Sequence, residues 1–214
     1  MINVLIVDDH VLIRTGLKRL LADVNGIKVS GEAENGEQAL DSIRKKRPDV
    51  VLMDVSMPGI GGMETTRRIK QHYPDLPVIV LTMHTDDPYP TRLLKAGASG
   101  YLHKSCGIDE IVKAIKDVNA GNRYICSDIA QSLALSSLQP GNDTSPLDSL
   151  SERELQVMYM LIQGDKVQMI SEKLCLSPKT VSTYRYRLFD KLSVKNDAEL
   201  TRLAMRYGML DGFS

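Results

Sequence analysis

The 214-residue chain lacks net charge: 27 lysines and arginines stand against 27 aspartates and glutamates. That excludes a protein-wide basic field of the kind that announces nucleic-acid binding. Dividing the chain at Leu147 changes little, with 17 basic against 18 acidic residues in the first part and 10 against 9 in the rest. Any nucleic-acid surface must therefore be local. Cysteine is scarce: Cys106, Cys126 and Cys175 are odd in number and scattered. They support neither a disulfide framework nor a zinc finger, and suit thiols in a reducing cytosol. No apolar stretch approaches about 18 residues, so no membrane span is expected. The first apolar run has no basic start or cleavage site and ends in Asp8-Asp9, unlike a signal peptide. Internal repeats are absent too. With 43% hydrophobic and 25% charged residues, the composition is that of an ordinary folded protein, long enough for one large or two small domains.

What is present begins with alternation. Over the first ~120 residues, short apolar runs alternate with helical patterns, the signature of parallel βαβ units. Strands are expected at residues 2–7, 28–32, 50–53, 78–81 and 100–102. Near-continuous Val, Ile and Leu in the first, third and fourth suggest helices on both faces. Leu12, Leu17, Leu20 and Leu21 are expected to line the first helix. Asn35, with Gln38 three residues on, forms a capping signal for the second, and residues 63–72 make the third. Asp87-Pro88 reads as N-cap and first helical residue of the fourth. Ile108, Ile111, Val112, Ile115 and Val118 give the apolar stripe of the fifth, closed by Gly121. The expected fold is a doubly wound five-stranded parallel α/β sheet, with its ligand site beyond the carboxyl ends of the strands.

A short helix is expected from Asp128 to Leu138. The stretch Gln139–Pro146 is turn-rich and free of periodicity, a linker. After it the pattern is purely helical. Ser151-Glu152-Arg153-Glu154 is a capping box, Gly164 ends that helix, and Val167, Ile170 and Leu174 mark a short second one. Ser177-Pro178 opens a third helix running to about Lys191. Asn196 and Glu199 cap a fourth. Two helices separated only by Cys175-Leu176-Ser177 form a helix-turn-helix in a small all-α domain. The resulting division is 1–122, then 123–146 as linker with a short helix, then 147–214.

The chemistry is expected at the strand ends. Asp8 and Asp9 end the first strand, Asp54 the third, Thr82 the fourth, and Lys104 follows the fifth. In a parallel sheet these side chains converge at one edge. Carboxylates packed together repel, and unless a cation joins them at least one should titrate upward. Hard oxygen ligands with open positions favour Mg²⁺. A carboxylate nucleophile, a divalent cation, a fixed ammonium and a hydroxyl are the parts needed for phosphoryl transfer onto Asp54. His10, His72, His84 and His103 do not cluster by spacing and receive no role.

On the helix from Pro178, Val181, Tyr184 and Leu188 are expected to face the core. Segment 177–191 holds Lys179, Arg185, Arg187 and Lys191 against Asp190 alone. Its cations can neutralise phosphates, while Ser182, Thr183 and Tyr186 face the major-groove side. A small helix-turn-helix makes few contacts, so specific binding calls for two half-sites and a dimer.

Asp8-Asp9, Asp54 with Met57-Pro58-Gly59, Thr82 and Gly100-Tyr101-Leu102-x-Lys104 together resemble the receiver domain of two-component response regulators, a CheY/flavodoxin-like fold. Leu150-Ser151-Glu152-Arg153-Glu154 and Leu176-Ser177-Pro178-Lys179-Thr180-Val181 resemble the LuxR-type helix-turn-helix. Jointly they cover essentially the whole chain, as in the NarL/FixJ family. Residues 56–62, Arg123-Tyr124-Ile125, 127–131 and Tyr184-Arg185-Tyr186-Arg187 are similar to its GacA/UvrY branch. The resemblance implies a cytoplasmic transcription factor phosphorylated on Asp54 by a sensor histidine kinase, in that branch a membrane-bound hybrid kinase with a phosphotransfer domain. It implies no direct membrane contact of the regulator itself. Phosphorylation would control homodimerisation and binding to double-stranded DNA. Asp8, Asp9, Asp54 and the backbone carbonyl of Ser56 would hold Mg²⁺, Lys104 would pair with the phosphoryl group, and Thr82 and Tyr101 would act as the switch. Lys179, Thr180, Ser182, Thr183, Arg185, Tyr186 and Arg187 would meet DNA, and the last helix would mediate self-association. One departure is Ser105, where many receivers carry proline after this lysine; the usual basis for a cis bond there is missing.

Two other classes compete. A haloacid-dehalogenase-type phosphotransferase also uses an Asp nucleophile with Lys and Thr, but needs a second Asp two positions later, where this chain has Ser56. A phosphorylation-independent interaction or DNA-binding protein that kept the receiver shape would have no use for the complete set of Asp8, Asp9, Asp54, Thr82 and Lys104. The expected protein is a switch and not a metabolic enzyme, although slow self-dephosphorylation belongs to such a site.

Overall fold

Each apolar run becomes a strand because β-branched and leucine side chains fill both faces of a covered sheet. The strands are β1 (Ile2–Val7), β2 (Ile27–Ala33), β3 (Val50–Asp54), β4 (Val78–Thr82), β5 (Gly100–His103) and β6 (Tyr124–Ile125). The computed structural model describes residues 1–82, 89–127, 129–131 and 146–207. The chain divides into two compact units, with the sequence boundary between Gln131 and Ser132. In the first unit the strand order is β2-β1-β3-β4-β5-β6, and every neighbouring pair is parallel.

Five helices alternate with these strands: α1 (Val11–Ala22), α2 (Gly36–Lys45), α3 (Gly61–His72), α4 (Tyr89–Lys95) and α5 (Ile108–Asn119). On one sheet face Leu5, Val7, Val51, Met53 and Val78 pack with Ala39 and Ile43 of α2 and Ile69 of α3. The alternate residues Val4, Ile6, Leu52 and Ile79 are equally buried. Fully burying each such side chain stabilises the fold by roughly 1.5–3 kcal/mol, so the scaffold can carry repelling charges at its edge. Asn35 caps α2 by accepting from the Gln38 N–H at 2.9 Å. The Gln38 side chain does not return to Asn35; its Oε1 accepts from the Glu34 N–H at 3.0 Å. Gly121, at φ +88°, ends the helical run of α5.

Two expectations change. The sheet has six strands, because Tyr124–Ile125 adds β6 beside Gly100 and Tyr101; the first residues of the expected linker thus belong to the sheet. Leu12 and Leu20 do not face the core: they are 87% and 51% exposed, and α1 buries Arg14, Leu17 and Leu21 instead. Asp87-Pro88 and His84 lie outside the described residues, as does most of the expected 128–138 helix, of which residues 129–131 are described and helical.

In the second unit a 3-10 turn (Pro146–Ser149) precedes α6 (Glu152–Ile162), α7 (Val167–Lys173), α8 (Pro178–Leu192) and α9 (Asp197–Arg206). Its core joins Val157, Ile170, Leu174 and Val181, with Tyr184 packed partly inward. The capping box closes in both directions: the Glu154 N–H donates to Ser151 Oγ, and the Ser151 N–H donates to Glu154 Oε2 at 2.7 Å. Ser177 caps α8 and Asn196 caps α9. The turn between α7 and α8 places Cys175 at φ +52°, a left-handed conformation that costs a non-glycine residue about 1 kcal/mol. Among the described residues no helix is long and apolar enough to cross a membrane.

Candidate functional site

Parallel strands deliver their carboxyl ends to one edge, and the expected acidic residues and lysine meet there. Asp8 follows β1, Asp54 ends β3, Thr82 ends β4 and Lys104 follows β5. The Lys104 Nζ lies 2.8 Å from Asp8 Oδ2 and 2.9 Å from Asp54 Oδ1. Asp8 and Asp54 are 1% and 2% exposed. Asp9 is more open at the rim. The Lys104 N–H donates to the Thr82 carbonyl at 2.7 Å, which locks the ends of β4 and β5 together. Thr82 is buried, and Tyr101 on β5 lies wholly inside the fold. Ser56 is exposed in the turn after β3, and its N–H reaches Asp54 Oδ1 at 3.4 Å.

Glycine makes the turn below Asp54 possible. The Gly62 N–H donates to the Val55 carbonyl at 3.0 Å, and a Cβ at Gly62 would run into the Asp54 carbonyl oxygen. The first turn of α3 therefore lies directly against the residue at the heart of the site, and the Gly61-Gly62 pair was its sequence signal.

Electrostatically the pocket is acidic and incompletely neutralised. Burial pushes the Asp54 carboxyl above its ordinary range; Lys104 pulls it back, and the negative Asp8 raises it further. Burial alone would depress the Lys104 ammonium, but Asp54 and Asp8 more than offset this and hold it above its usual value. Asp54 Oδ2 is buried with no hydrogen-bond partner, a costly condition that a bound cation would relieve. Ligand atoms of Asp8, Asp9, His10 and Asp54 all lie within 4.8 Å of one another. These predominantly oxygen donors suit a hard divalent cation, and the acidic pocket is of the kind typical of Mg²⁺ binding.

Sequence reasoning missed two residues here. His10 Nδ1 lies 2.9 Å from Asp9 Oδ1 and 3.2 Å from Asp8 Oδ1; adjacency to Asp9 was its only signal. Arg14 is 6% exposed and donates from Nη1 to the Asp8 carbonyl at 2.6 Å.

On α8, Lys179, Ser182, Thr183, Tyr186 and Arg187 are exposed, while Thr180 and Arg185 are half-buried. Tyr186 is 74% exposed. Two cations of this helix are already engaged. Arg185 makes a two-pronged pair with Asp197, at 3.1 and 2.8 Å, and lies over the Phe189 ring. Lys191 donates to Glu154 Oε2 at 2.7 Å and to the Ser149 carbonyl at 2.9 Å. The exposed cations of α8 outside these pairs are Lys179 and Arg187, fewer than the residue count of segment 177–191 implied.

Residues 4–116 match the response regulator receiver domain, and residues 148–204 match the bacterial regulatory proteins of the luxR family. The chain is 57% identical over 214 residues to response regulator GacA of Pseudomonas aeruginosa, covering 100% of both. It is 56% identical over 209 residues to response regulator UvrY of Escherichia coli, covering 98% of this chain and 96% of that one. Among solved structures, RcsB of Salmonella enterica serovar Typhimurium bound to promoter rprA with the phosphomimetic BeF₃⁻ aligns with a TM-score of 0.64. The identity is 27%, over 94% of this chain and 97% of that one. The chain belongs to the two-component response regulators that join a receiver to a LuxR-type DNA-binding domain. Its relatives GacA and UvrY are response regulators.

Proposed function

We propose that Asp54 is the phosphoacceptor of this regulator, and that its phosphorylation controls dimerisation and sequence-specific DNA binding. The observation that carries the reading is one ammonium, Lys104, held within 3 Å of two buried carboxylates from different strand ends. The donor is a phosphohistidine of a cytoplasm-facing sensor kinase; by resemblance, it belongs to a hybrid kinase with a phosphotransfer domain. An Asp54 carboxylate oxygen attacks phosphorus, the P–N bond breaks and the histidine leaves. Asp8, Asp9, Asp54 and the Ser56 carbonyl would hold Mg²⁺, whose chemistry is charge neutralisation at the phosphoryl oxygens. Lys104 donates to the same oxygens. Thr82 contributes its hydroxyl, and Tyr101 occupies the space behind it.

Phosphorylation adds about −1.5 to −2 charges to a site already rich in acid. The bias must therefore come from contacts made only by the phosphorylated form. A switch from 1:99 to 99:1 needs about 5.5 kcal/mol of such differential interaction.

The working division assigns residues 1–122 to the receiver and 147–214 to DNA binding, with 123–146 between them contributing β6 to the sheet. On α8, Lys179 and Arg187 meet phosphates, while Thr180, Ser182, Thr183 and Tyr186 lie toward the groove; Arg185 holds α8 to α9. Two copies are needed for two half-sites, as in the solved structure of two RcsB dimers bound to two parallel DNAs. The regulator acts in the cytoplasm and turns over no metabolite.

The test is acetyl phosphate with Mg²⁺, read by intact mass, dimer fraction and operator affinity. Wild type should gain one phosphoryl group, dimerise and bind more tightly, and Asp54→Ala should do none of these. Equal DNA binding by both proteins before and after treatment would refute the switch.

A further inference from the structure

Arginine is almost never buried without partners, and Arg14 has partners on two sides. Its Nη1 donates to the main-chain carbonyl of Asp8 at 2.6 Å. Its Nη2 donates to Glu34 Oε1 at 3.0 Å, and its Nε lies 4.0 Å from Glu32 Oε2. Both acids are themselves held. The Lys18 Nζ lies 2.5 Å from Glu32 Oε1. The Glu34 N–H is anchored to Gln38 Oε1 at the start of α2. The guanidinium is therefore braced against the end of β2 and grips the peptide that carries Asp8.

That grip lies where the chain most needs it. Asp8 and Asp9 leave β1 with their carboxylates beside Asp54, and like charges so placed push apart. The Asp8 N–H is tied to the Ala33 carbonyl at 3.1 Å, and Arg14 ties the carbonyl of the same residue. With both ends of the Asp8 residue fixed, the repulsion cannot be relieved by rotating the turn outward.

Resting on the reading of Asp8, Asp9 and Asp54 as a cation-dependent phosphoacceptor site, we infer that Arg14 is a positioning residue for the cation: it clamps the main chain at Asp8 so that the acidic ligands stay converged. It touches neither the cation nor the phosphoryl group. Its charge and its clamp act in opposite directions. Removing a nearby positive charge would by Coulomb's law tighten the binding of a dication. Removing a clamp loosens it, because the ligand set must be re-ordered on each binding event. Outer residues that orient metal ligands typically contribute 10–100-fold to affinity.

The experiment measures Mg²⁺ affinity of the full-length, unphosphorylated protein by competition against Mn²⁺, followed by the electron paramagnetic resonance of Mn²⁺. Arg14→Met should weaken Mg²⁺ binding about tenfold. Arg14→Lys keeps the charge but cannot bridge the Asp8 carbonyl and Glu34 with a planar fork; it should fall between Arg14→Met and wild type. If Arg14→Met fails to fold, Arg14→Lys decides the matter, since charge alone leaves its affinity unchanged. Wild-type affinity in both variants, whatever their melting temperatures, would reduce Arg14 to a structural residue, and tighter binding by Arg14→Met would leave only its charge. Asp8→Ala separates the two levels. If that variant binds Mg²⁺ like wild type, the reading of the site itself fails; if it loses binding while the Arg14 variants do not, only the clamp fails.

Discussion

Asp54 and Glu154 look alike at first sight. Each is a nearly inaccessible carboxylate, 2% and 3% exposed, and each has a lysine within 3 Å, Lys104 at 2.9 Å and Lys191 at 2.7 Å. Their acidities nevertheless move in opposite directions. Burial raises Asp54, and its lysine cannot offset this because Asp8 shares that lysine. Burial also pushes Glu154 upward, but the Lys191 ammonium and the Ser151 N–H and hydroxyl outweigh it and hold it below its ordinary range. Glu154 lies under a thin cover close to water, whereas Asp54 lies deep. One carboxylate is satisfied and holds a helix start in place. The other has a buried oxygen without a hydrogen-bond partner. The difference separates a satisfied buried charge from an unsatisfied one without reference to any relative.

The largest expected effect comes from removing the lysines. Lys104→Met leaves two deeply buried carboxylates facing each other, and should destabilise the metal-free receiver by about 3 kcal/mol in urea titrations at neutral pH. Lys191→Met, at a site whose lysine is over a third exposed, should cost only about 1 kcal/mol. Equal losses would erase the distinction between the two sites.

A smaller effect separates the cations of α8. Lys179→Ala and Arg187→Ala should each reduce the slope of log affinity against log salt for operator DNA by about 1. Arg185→Ala should leave the slope unchanged and lower the melting temperature of the second unit, because its guanidinium is engaged by Asp197. A reduced slope for Arg185→Ala would place that side chain on phosphate instead.

The smallest effect is in acid, and its sign differs between the two carboxylates. A group raised in the folded state binds more protons folded than unfolded, so its contribution falls as pH rises from the ordinary aspartate range, about 3.9, through its folded value. Without Mg²⁺, Asp54 therefore opposes folding at neutral pH, and Asp54→Asn should remove that penalty. Glu154 is lowered, so its stabilisation is complete above about pH 4.3 and is lost as pH falls through its folded value. Glu154→Gln should flatten that acid limb in thermal melts recorded across pH. Matching slopes from the two variants would mean that the contrast between the sites is false.

Much of this was legible from residue order. The apolar runs named β1, β3 and β4 to within a residue, because a strand covered on both faces has no polar position to blur its ends; the two-residue β6 was too short to show a pattern. Ser151, Ser177 and Asn196 announced helix starts, since capping is a local bond between residues three apart. The acidic residues and lysine of the candidate site could be named because a parallel sheet fixes which ends of its strands share an edge. The errors lay where a side chain's partner comes from elsewhere. Helical phasing placed Leu12 and Leu20 inward, whereas Arg14 takes the inner face by pairing with Asp8 and Glu34. Counting charges made α8 more basic than its surface is, because Asp197 and Glu154 engage Arg185 and Lys191.

The amino-acid sequence by itself determined the two units, the parallel sheet of the first and the residue types at its acidic edge, all of which follow from periodicity and capping over short distances. Only the tertiary structure decided which charges are neutralised. Coulomb energy and desolvation depend on which groups lie within a few ångströms and how deep they are, and residues 8, 14, 34, 54 and 104 become neighbours only when the chain is folded.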